Sequence, residues 1–144
     1  MLEVKIKKLD EKAVIPSYAK PGDAGMDLTA IRYEYDYHYG NHIYKTGLAI
    51  EIPEGYVGLI FPRSSNRETD AYMTNHVGVI DSGYRGEIII TYKDKDRYGT
   101  KTPYYIGDRI AQLIIMQYPP IKLVEVEELS ETERGTGGHG STGK

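Results

Sequence analysis

Short runs of alternating apolar and polar residues recur along this chain of 144 residues, and glycine and proline separate them. Val4 and Ile6 alternate with lysines near the start, and two further runs between residues 45 and 60 flank the turn Pro53-Glu54-Gly55. Alternation of this kind places successive side chains on opposite faces of a strand. Because strand patterns are frequent and only one short helix is indicated, the chain is predicted to be an all-β protein built from short strands.

Composition excludes several classes of protein. A chain of this length suits one domain with a real core, and its net charge of −3 argues against a non-specific nucleic-acid surface. No apolar run reaches the length of a membrane span, and Met1-Leu2-Glu3-Val4 does not read as a signal peptide. The cysteine count is zero, which excludes disulfides and cysteine-bound zinc and fits a cytoplasmic protein.

The stretch NHVGVIDSGYRGEIII, residues 75–90, reads as two strands that meet at a tight turn. The turn is Asp81-Ser82-Gly83, whose glycine is free to take a positive φ. Asp81 fits two interpretations: a turn-former whose carboxylate bonds the backbone two residues on, or a general base at the mouth of an apolar hairpin. The stretch alone favours the first, but Tyr84 adds a ring suited to lie beneath a sugar or base.

A short helix is predicted to begin near Ser65, where Ser65-Asn66-Arg67-Glu68 has the capping-box pattern. The start of a helix offers unpaired N–H groups to an anion, and Arg63 just upstream adds a planar donor suited to phosphate oxygens. The alternative is an ordinary capped helix on the surface.

Four tyrosines with strict period two indicate a half-buried or interface strand, since Glu34, Asp36 and His38 would fall on its other face. A metal site built from Asp36, His38 and His42 is discounted, because residues on a polar outer face explain them equally well. The tyrosines are Tyr33, Tyr35, Tyr37 and Tyr39.

The second half begins with a charged loop around residues 91–100 and continues with GDRIAQLII, residues 107–115. In that run Ile110, Leu113 and Ile115 are core candidates, Gln112 is the polar outlier, and Asp108 and Arg109 are predicted to form a structural ion pair. Residues 122–129 are predicted as the last strand, with Leu123 packed inward.

Glycine and hydroxyl residues dominate the end of the chain, so residues 131–144 are predicted to be a mobile tail behind a domain of residues 1–130. Gly138, Gly143 and Lys144 have the spacing of a P-loop, but the following Ser/Thr, the preceding strand and the following helix are missing. We reject that interpretation. A glycine-rich tail can instead wrap its backbone N–H groups around phosphates.

Five stretches, in this order, resemble the five motifs of the trimeric dUTPase family. They are PGDAGMDLTA (21–30), PRSS (62–65), residues 75–90, GDRIAQLII and ERGTGGHGSTGK (133–144). The resemblance implies a jelly-roll-like β-barrel, a homotrimer with sites at the subunit interfaces, and Mg²⁺-assisted hydrolysis of dUTP to dUMP and pyrophosphate.

The resemblance also implies a role for each motif. Asp81 deprotonates the attacking water, Tyr84 packs on the deoxyribose, and Asp27 helps to hold Mg²⁺ through water. The uracil is read by Asn75 and by the strand around Val79 and Ile80, with Gly78 and Ile89 in the same pocket. The phosphate contacts are Arg63, Ser64, Ser65, Gln112 and Arg134, with Ser141 and Thr142 near the far end and Gly140 beside them.

One departure concerns His139, because many relatives have phenylalanine there, whose ring stacks on uracil. Imidazole has less area, so the stacking is weaker here or another aromatic side chain also covers the base. Two other functions stay open. One is a deaminase related to dCTP deaminase, and the other is a regulatory protein that uses the same nucleotide pocket as a switch.

Overall fold

A computed structural model describes residues 1–96 and 101–143 of the chain. Within these residues the regular structure is ten strands and one short 3₁₀ helix (Ser64–Glu68), which confirms the all-β prediction. The predicted charged loop falls partly on residues 97–100, which lie outside the described residues. The strands are β1 (Lys5–Lys8), β2 (Met26–Thr29), β3 (Arg32–Asp36), β4 (Asn41–Lys45), β5 (Leu48–Glu51), β6 (Tyr56–Phe61), β7 (Ala71–Met73), β8 (Gly78–Ile80), β9 (Ile89–Asp94) and β10 (Arg109–Gln117).

The strands form two four-stranded antiparallel sheets and one two-stranded sheet, a jelly-roll-like arrangement. The first four-stranded sheet has the order β2-β10-β6-β8, the second has β3-β4-β9-β7, and β1 pairs with β5. Strand β10 lies in the middle of its sheet, and its predicted core residues Ile110 and Leu113 are fully buried. No helix of the described residues has the length and apolar character that crossing a membrane requires.

The tyrosine run is a strand only in its first half. Tyr33 and Tyr35 lie on β3, but that strand ends at Asp36, and Tyr37 and Tyr39 are exposed beyond it. The prediction of one strand through all four tyrosines is therefore wrong. A turn interrupts the run, because the Gly40 N–H donates to the Asp36 carbonyl (2.8 Å) and Gly40 has φ +69°, which glycine adopts without strain.

His42 faces the interior and is not an outer-face residue. Its side chain lies between two partners: Nδ1 is 3.0 Å from the Tyr33 hydroxyl, and Nε2 is 3.2 Å from the Asp94 carboxylate. With 5% of its surface exposed, the imidazole needs both hydrogen bonds to offset its burial. No group of three or more histidine, aspartate and glutamate side chains placed to hold a metal ion is present among the described residues.

A cluster of three buried tyrosines, Tyr44, Tyr92 and Tyr104, fills the core beside β9 and β10. The Tyr104 ring lies 5.1 Å from the Tyr92 ring and 6.1 Å from the Tyr44 ring, measured between centroids. Each hydroxyl donates a hydrogen bond, as buried hydroxyls must. Burial raises the pKa of all three phenols, which favours their neutral form.

The predicted last strand at residues 122–129 is wrong for the single chain. From residue 118 to residue 143 the described chain contains no helix or strand, and the Leu123 side chain is 89% exposed rather than packed inward. A strand needs a neighbour to pair its backbone groups, and this segment has none within its own chain. The other exposed apolar residues of the segment are Ile121, Val124, Val126 and Leu129.

Candidate functional site

A pocket of about 220 Å³ lies between β8 and the start of β9. Seven residues predicted from the sequence line it, namely Asn75, Asp81, Tyr84 and Ile89 with the whole of β8, which is Gly78–Ile80. The wall is completed by Ile60, Met73, Ile88 and Ile90, which are buried apolar side chains of neighbouring strands. An apolar slot with a few polar groups at its edge is the usual form of a site for a flat, partly apolar ligand.

The stretch 75–90 is not a hairpin, because its two strands belong to different sheets. Strand β8 pairs with β6, whereas β9 pairs with β4 and β7. Residues 81–88 therefore cross from one sheet to the other, and the pocket opens where the sheets separate. Gly83 is free to take a positive φ, but this turn does not use that freedom.

Asp81 occupies the turn without using its carboxylate to build it. The Tyr84 N–H donates to the Asp81 backbone carbonyl at 3.1 Å, which closes the turn. The carboxylate is exposed at the pocket and accepts no hydrogen bond from the described residues. Of the two interpretations of Asp81, this geometry matches the carboxylate that is free to accept a proton.

Tyr84 folds back over the chain that follows it. Its hydroxyl donates to the carbonyl of Glu87 at 2.9 Å, and the ring lies so close to Gly86 that an added Cβ would be 2.5 Å from Cζ. Any other residue at position 86 would push the ring away from the pocket. Sequence analysis did not predict this role of Gly86. The available signal was a glycine two residues after an aromatic residue, which leaves room for the ring to fold back.

Glu87 is a second pocket residue that sequence analysis missed. Its Oε1 accepts a hydrogen bond from the Gly47 N–H at 2.8 Å, which connects the pocket wall to the turn between β4 and β5. Sequence gave no signal for it, since Gly47 is 40 residues distant along the chain.

The turn that presents Asn75 has strained backbone. His76 has φ +57°, which is uncommon for a residue with a Cβ, and the Val77 N–H donates to the Asn75 carbonyl at 2.5 Å. The His76 ring stacks on Tyr72 at 5.9 Å with an interplanar angle of 26°. A strained backbone conformation persists only where surrounding contacts hold the chain in it. The contacts around His76 therefore also hold Asn75 at the edge of the pocket.

A second group of predicted residues surrounds Asp27. Its carboxylate accepts from Arg63 Nε at 2.7 Å and from Arg109 Nη1 at 3.3 Å. The predicted ion pair between Asp108 and Arg109 is therefore wrong. Asp108 instead accepts a hydrogen bond from the Tyr105 N–H at 2.7 Å, within the turn that precedes β10.

The predicted helix near Ser65 is present, but it is a five-residue 3₁₀ helix and its capping box does not form. Arg63 is the N-cap residue, and it makes no side-chain cap hydrogen bond. The Arg63 guanidinium lies 3.4 Å from Ser65 Oγ, which places three predicted phosphate contacts, Arg63, Ser64 and Ser65, on one short segment.

Gln112 is held close to the same group. Its Nε2 donates to the Pro62 carbonyl at 3.0 Å, and its Oε1 lies where a Cβ of residue 25 would be, 2.5 Å away. Gly25 is thus required for the amide to reach this position. Gln112 thereby joins β10 to the segment before Arg63 and to the loop before Asp27.

The donors around Asp27 fit Mg²⁺ only through water. Two guanidinium groups already contact the carboxylate, which is about a quarter exposed, and no further carboxylate of residues 1–96 or 101–143 joins it to form a direct cage. Mg²⁺ keeps several of its waters and commonly uses one or two carboxylates with substrate phosphates. A water-mediated contact to the remaining lone pairs of Asp27 is compatible with that chemistry.

The tail residues form the third group, and the single chain keeps them away from the pocket lining. Arg134 Nε donates to the Gly137 carbonyl at 2.9 Å, and the Ser141 N–H donates to the Gly138 carbonyl at 3.0 Å. These bonds are all within the tail, and its side chains are exposed. The predicted tail residues, none of which lines the pocket, are Arg134, His139, Gly140, Ser141 and Thr142.

Comparison with known proteins gives a consistent result. The family model for dUTPase matches residues 11–143. A deoxyuridine 5′-triphosphate nucleotidohydrolase of Nocardia farcinica is 41% identical over 97% of this chain and 85% of its own length. That of Dictyoglomus turgidum is 40% identical over 99% of both chains.

Solved structures of phage enzymes have the same fold. A mutant of the Staphylococcus bacteriophage 80alpha dUTPase with bound dUpNHpp superposes with a TM-score of 0.79 and 28% identity over the full length of both chains. The dUTPase mutant of the S. aureus phage phi11, described with a structural Mg(II) ion, has a TM-score of 0.69 and 27% identity, over 88% of this chain and 98% of its own.

Proposed function

The chain belongs to the dUTPase family, and from that membership we propose that it hydrolyses dUTP to dUMP and pyrophosphate, with Asp81 as the general base. The observation that carries the assignment of Asp81 is its exposed carboxylate at the edge of an apolar pocket, with no hydrogen bond from the described residues. A base must be free to accept a proton from water, and a carboxylate already bound to its own turn would be a poorer one.

The uracil is proposed to enter the slot along β8. The Asn75 amide and the backbone groups of Val79 and Ile80 are the polar edges available to the base, while Gly78 and Ile89 complete the walls. A Cβ at Gly78 would lie 3.2 Å from the Ile60 side chain, so the slot is already narrow. Such a slot leaves little room for the methyl group of thymine.

The sugar and the phosphates are proposed to extend from this slot towards two sets of donors. Tyr84 would pack against the deoxyribose and exclude a 2′-hydroxyl, because its hydroxyl is already fixed on Glu87. Arg63, Ser64, Ser65 and Gln112 would bind phosphate oxygens, to which guanidinium groups are well matched. The tail would add Arg134, Gly140, Ser141 and Thr142, with His139 stacking on the base.

Mg²⁺ is the proposed metal, held through water by Asp27 and directly by the phosphates. Its chemistry when bound is to offset negative charge on the triphosphate as pyrophosphate leaves. Arg63 and Arg109 hold the Asp27 carboxylate in place for that contact.

A homotrimer is the proposed assembly, because one chain alone leaves the three groups apart. The segment 121–129 supports it, since its five large apolar side chains are exposed in the single chain. Covering such side chains stabilises a protein by about 25 cal/mol for each Å² removed from water. A neighbouring copy is the proposed partner of this segment.

We expect charge within that segment to break the assembly. The double substitution Leu123→Asp and Val126→Asp should convert the trimer into monomers, because both carboxylates would be buried in the contact. Sedimentation velocity measures the change. Lys122→Asp, an exposed polar position in the same segment, is the matched control and should stay trimeric. If the double variant remains trimeric as well, the segment does not form the contact.

The preference for dUTP over dCTP tests the proposed contact between β8 and the uracil base. We expect wild-type kcat/KM for dUTP to exceed that for dCTP by ~10⁴–10⁵, since groups paired with uracil N3–H and O4 would face the wrong donors in cytosine. Tyr84→Ala should mainly raise the use of UTP relative to dUTP. Equal kcat/KM for dUTP and dCTP would contradict the proposed role of β8.

The same assay separates the two other functions. Pyrophosphate release from dUTP supports hydrolysis, ammonia release from dCTP would indicate a deaminase, and tight binding of dUTP without turnover would indicate a nucleotide-dependent switch. The family membership and the free carboxylate of Asp81 favour hydrolysis over both.

A further inference from the structure

The 3₁₀ helix that carries Ser64 and Ser65 has no side-chain cap, so its position depends on other contacts. Asn66 supplies them. Its Nδ2 donates to the Ala71 carbonyl at the start of β7 (3.1 Å), and its Oδ1 accepts from the Tyr104 hydroxyl (3.0 Å). The Thr69 hydroxyl also donates to the Asn66 carbonyl at 2.9 Å. The segment is thereby attached to the core through one amide side chain.

Tyr104 is a rigid attachment point. It is 6% exposed, and its ring is packed between the two other members of the tyrosine cluster. Its backbone is fixed twice by Tyr44, whose hydroxyl donates to the Tyr104 carbonyl at 2.8 Å and accepts from the Tyr104 N–H at 3.0 Å. A hydroxyl held by a packed ring loses little further freedom when it bonds Asn66.

The tyrosine cluster also supports the start of β10, where Arg109 contacts Asp27 and Arg63. The Tyr92 hydroxyl donates to the Ile110 carbonyl at 2.7 Å, and the neighbouring residue Arg109 donates to Asp27. The Arg109 carbonyl in turn lies 3.4 Å from Arg63 Nη1. One buried cluster therefore supports both the helix after Arg63 and the start of β10.

We propose that Tyr104 is a positioning residue for dUTP hydrolysis, which acts through Asn66 to set the distance between Arg63, Ser64 and Ser65 and the triphosphate. The proposal rests on the proposed function, because it requires that this segment binds phosphate. It assigns no contact between Tyr104 and the substrate. Through Tyr104, the tyrosine cluster would thus position phosphate-binding residues in addition to filling the core.

Tyr104→Phe tests the proposal, since it removes the hydroxyl and keeps the ring. We expect kcat/KM for dUTP to fall ~10- to 100-fold, because small misplacement of substrate-positioning groups is costly. The Kd of dUpNHpp, measured by calorimetry, should rise about tenfold. Tyr33→Phe is the matched control: it also removes one hydrogen-bonded hydroxyl, here the bond from β3 to His42.

Both variants should lower the melting temperature by a similar amount, but only Tyr104→Phe should weaken dUpNHpp binding and turnover. A Kd and a kcat/KM for Tyr104→Phe within twofold of those for Tyr33→Phe would overturn the proposal. Adding Tyr104→Phe to Asn66→Ala should change kcat/KM no further, because the bond is already lost. Fully additive losses in the double variant would also overturn it.

These outcomes are distinct from a failure of the proposed function. If the wild-type chain releases no pyrophosphate from dUTP, the proposed function is wrong. If the wild type turns over dUTP and Tyr104→Phe matches the control, only the positioning role is wrong.

Discussion

Asp81→Asn is expected to bind dUpNHpp with nearly wild-type affinity and to lose turnover by ~10²–10⁴, the usual contribution of a positioned general base. The turn should survive, because the Asp81 carbonyl, not its carboxylate, accepts the hydrogen bond that closes it. Asparagine has nearly the same shape but cannot take a proton from water. Steady-state pyrophosphate release and calorimetry with dUpNHpp measure the two halves of this expectation.

Asp70→Asn is a matched control for the chemical change. Asp70 is exposed and lies outside the pocket between β8 and β9, so its substitution should alter neither binding nor turnover. Turnover of dUTP by Asp81→Asn within a few-fold of wild type would show that another group takes the proton. Loss of dUpNHpp binding together with turnover would assign Asp81 to substrate binding instead.

Local patterns were enough to predict the all-β class, several of the strands and part of the core, because alternation depends only on which face each residue occupies. Ile110 and Leu113 were predicted from the run GDRIAQLII, and both are fully buried in β10. Seven pocket residues between Asn75 and Ile89 were also predicted, since they lie within one short stretch of sequence.

Partners distant along the chain could not be predicted in this way. The pairing of β8 with β6 and not with β9 depends on the whole sheet order. Arg109 pairs with Asp27, which is 82 residues away, whereas sequence analysis paired it with its neighbour Asp108. Glu87 was missed for the same reason, as its partner is the backbone of Gly47.

The segment 121–129 shows a different limit. Its alternating apolar residues match the pattern of a strand, but the described residues of the single chain offer no neighbour that covers Leu123 or Leu129. A pattern reports that a segment can bury a face and does not say which chain buries it. The same holds for the tail, where the hydrogen bonds of Arg134 and Ser141 in the described residues go to Gly137 and Gly138 of the tail itself.

Deletion of residues 131–144 is expected to leave the melting temperature without ligand unchanged and to lower kcat by orders of magnitude. The described part of the tail is exposed, and its hydrogen bonds, such as that from Arg134 to Gly137, are internal. It therefore buries little apolar surface and contributes little to the stability of the sheets. Thermal unfolding without nucleotide measures the first expectation.

The loss of turnover follows from what the tail would do when nucleotide is bound. Ordering it costs roughly 1–2 kcal/mol per residue, so it should settle only when Arg134, Ser141 and Thr142 gain phosphate contacts. Closure would expel water and fix the triphosphate for in-line attack, effects that raise kcat more than affinity. Steady-state hydrolysis of dUTP by the truncated chain should therefore show a large fall in kcat. Calorimetry with dUpNHpp should show only a modest change in its Kd.

Single substitutions identify the part of the tail that matters. His139→Ala should cost less than the deletion, and His139→Phe should preserve or raise activity, because a larger ring covers more of the uracil. His139 has a left-handed backbone, φ +52°, which is uncommon for any residue with a Cβ. Near-normal turnover by the truncated chain would remove the tail from the mechanism and leave Arg63, Ser64, Ser65 and Gln112 as the phosphate contacts.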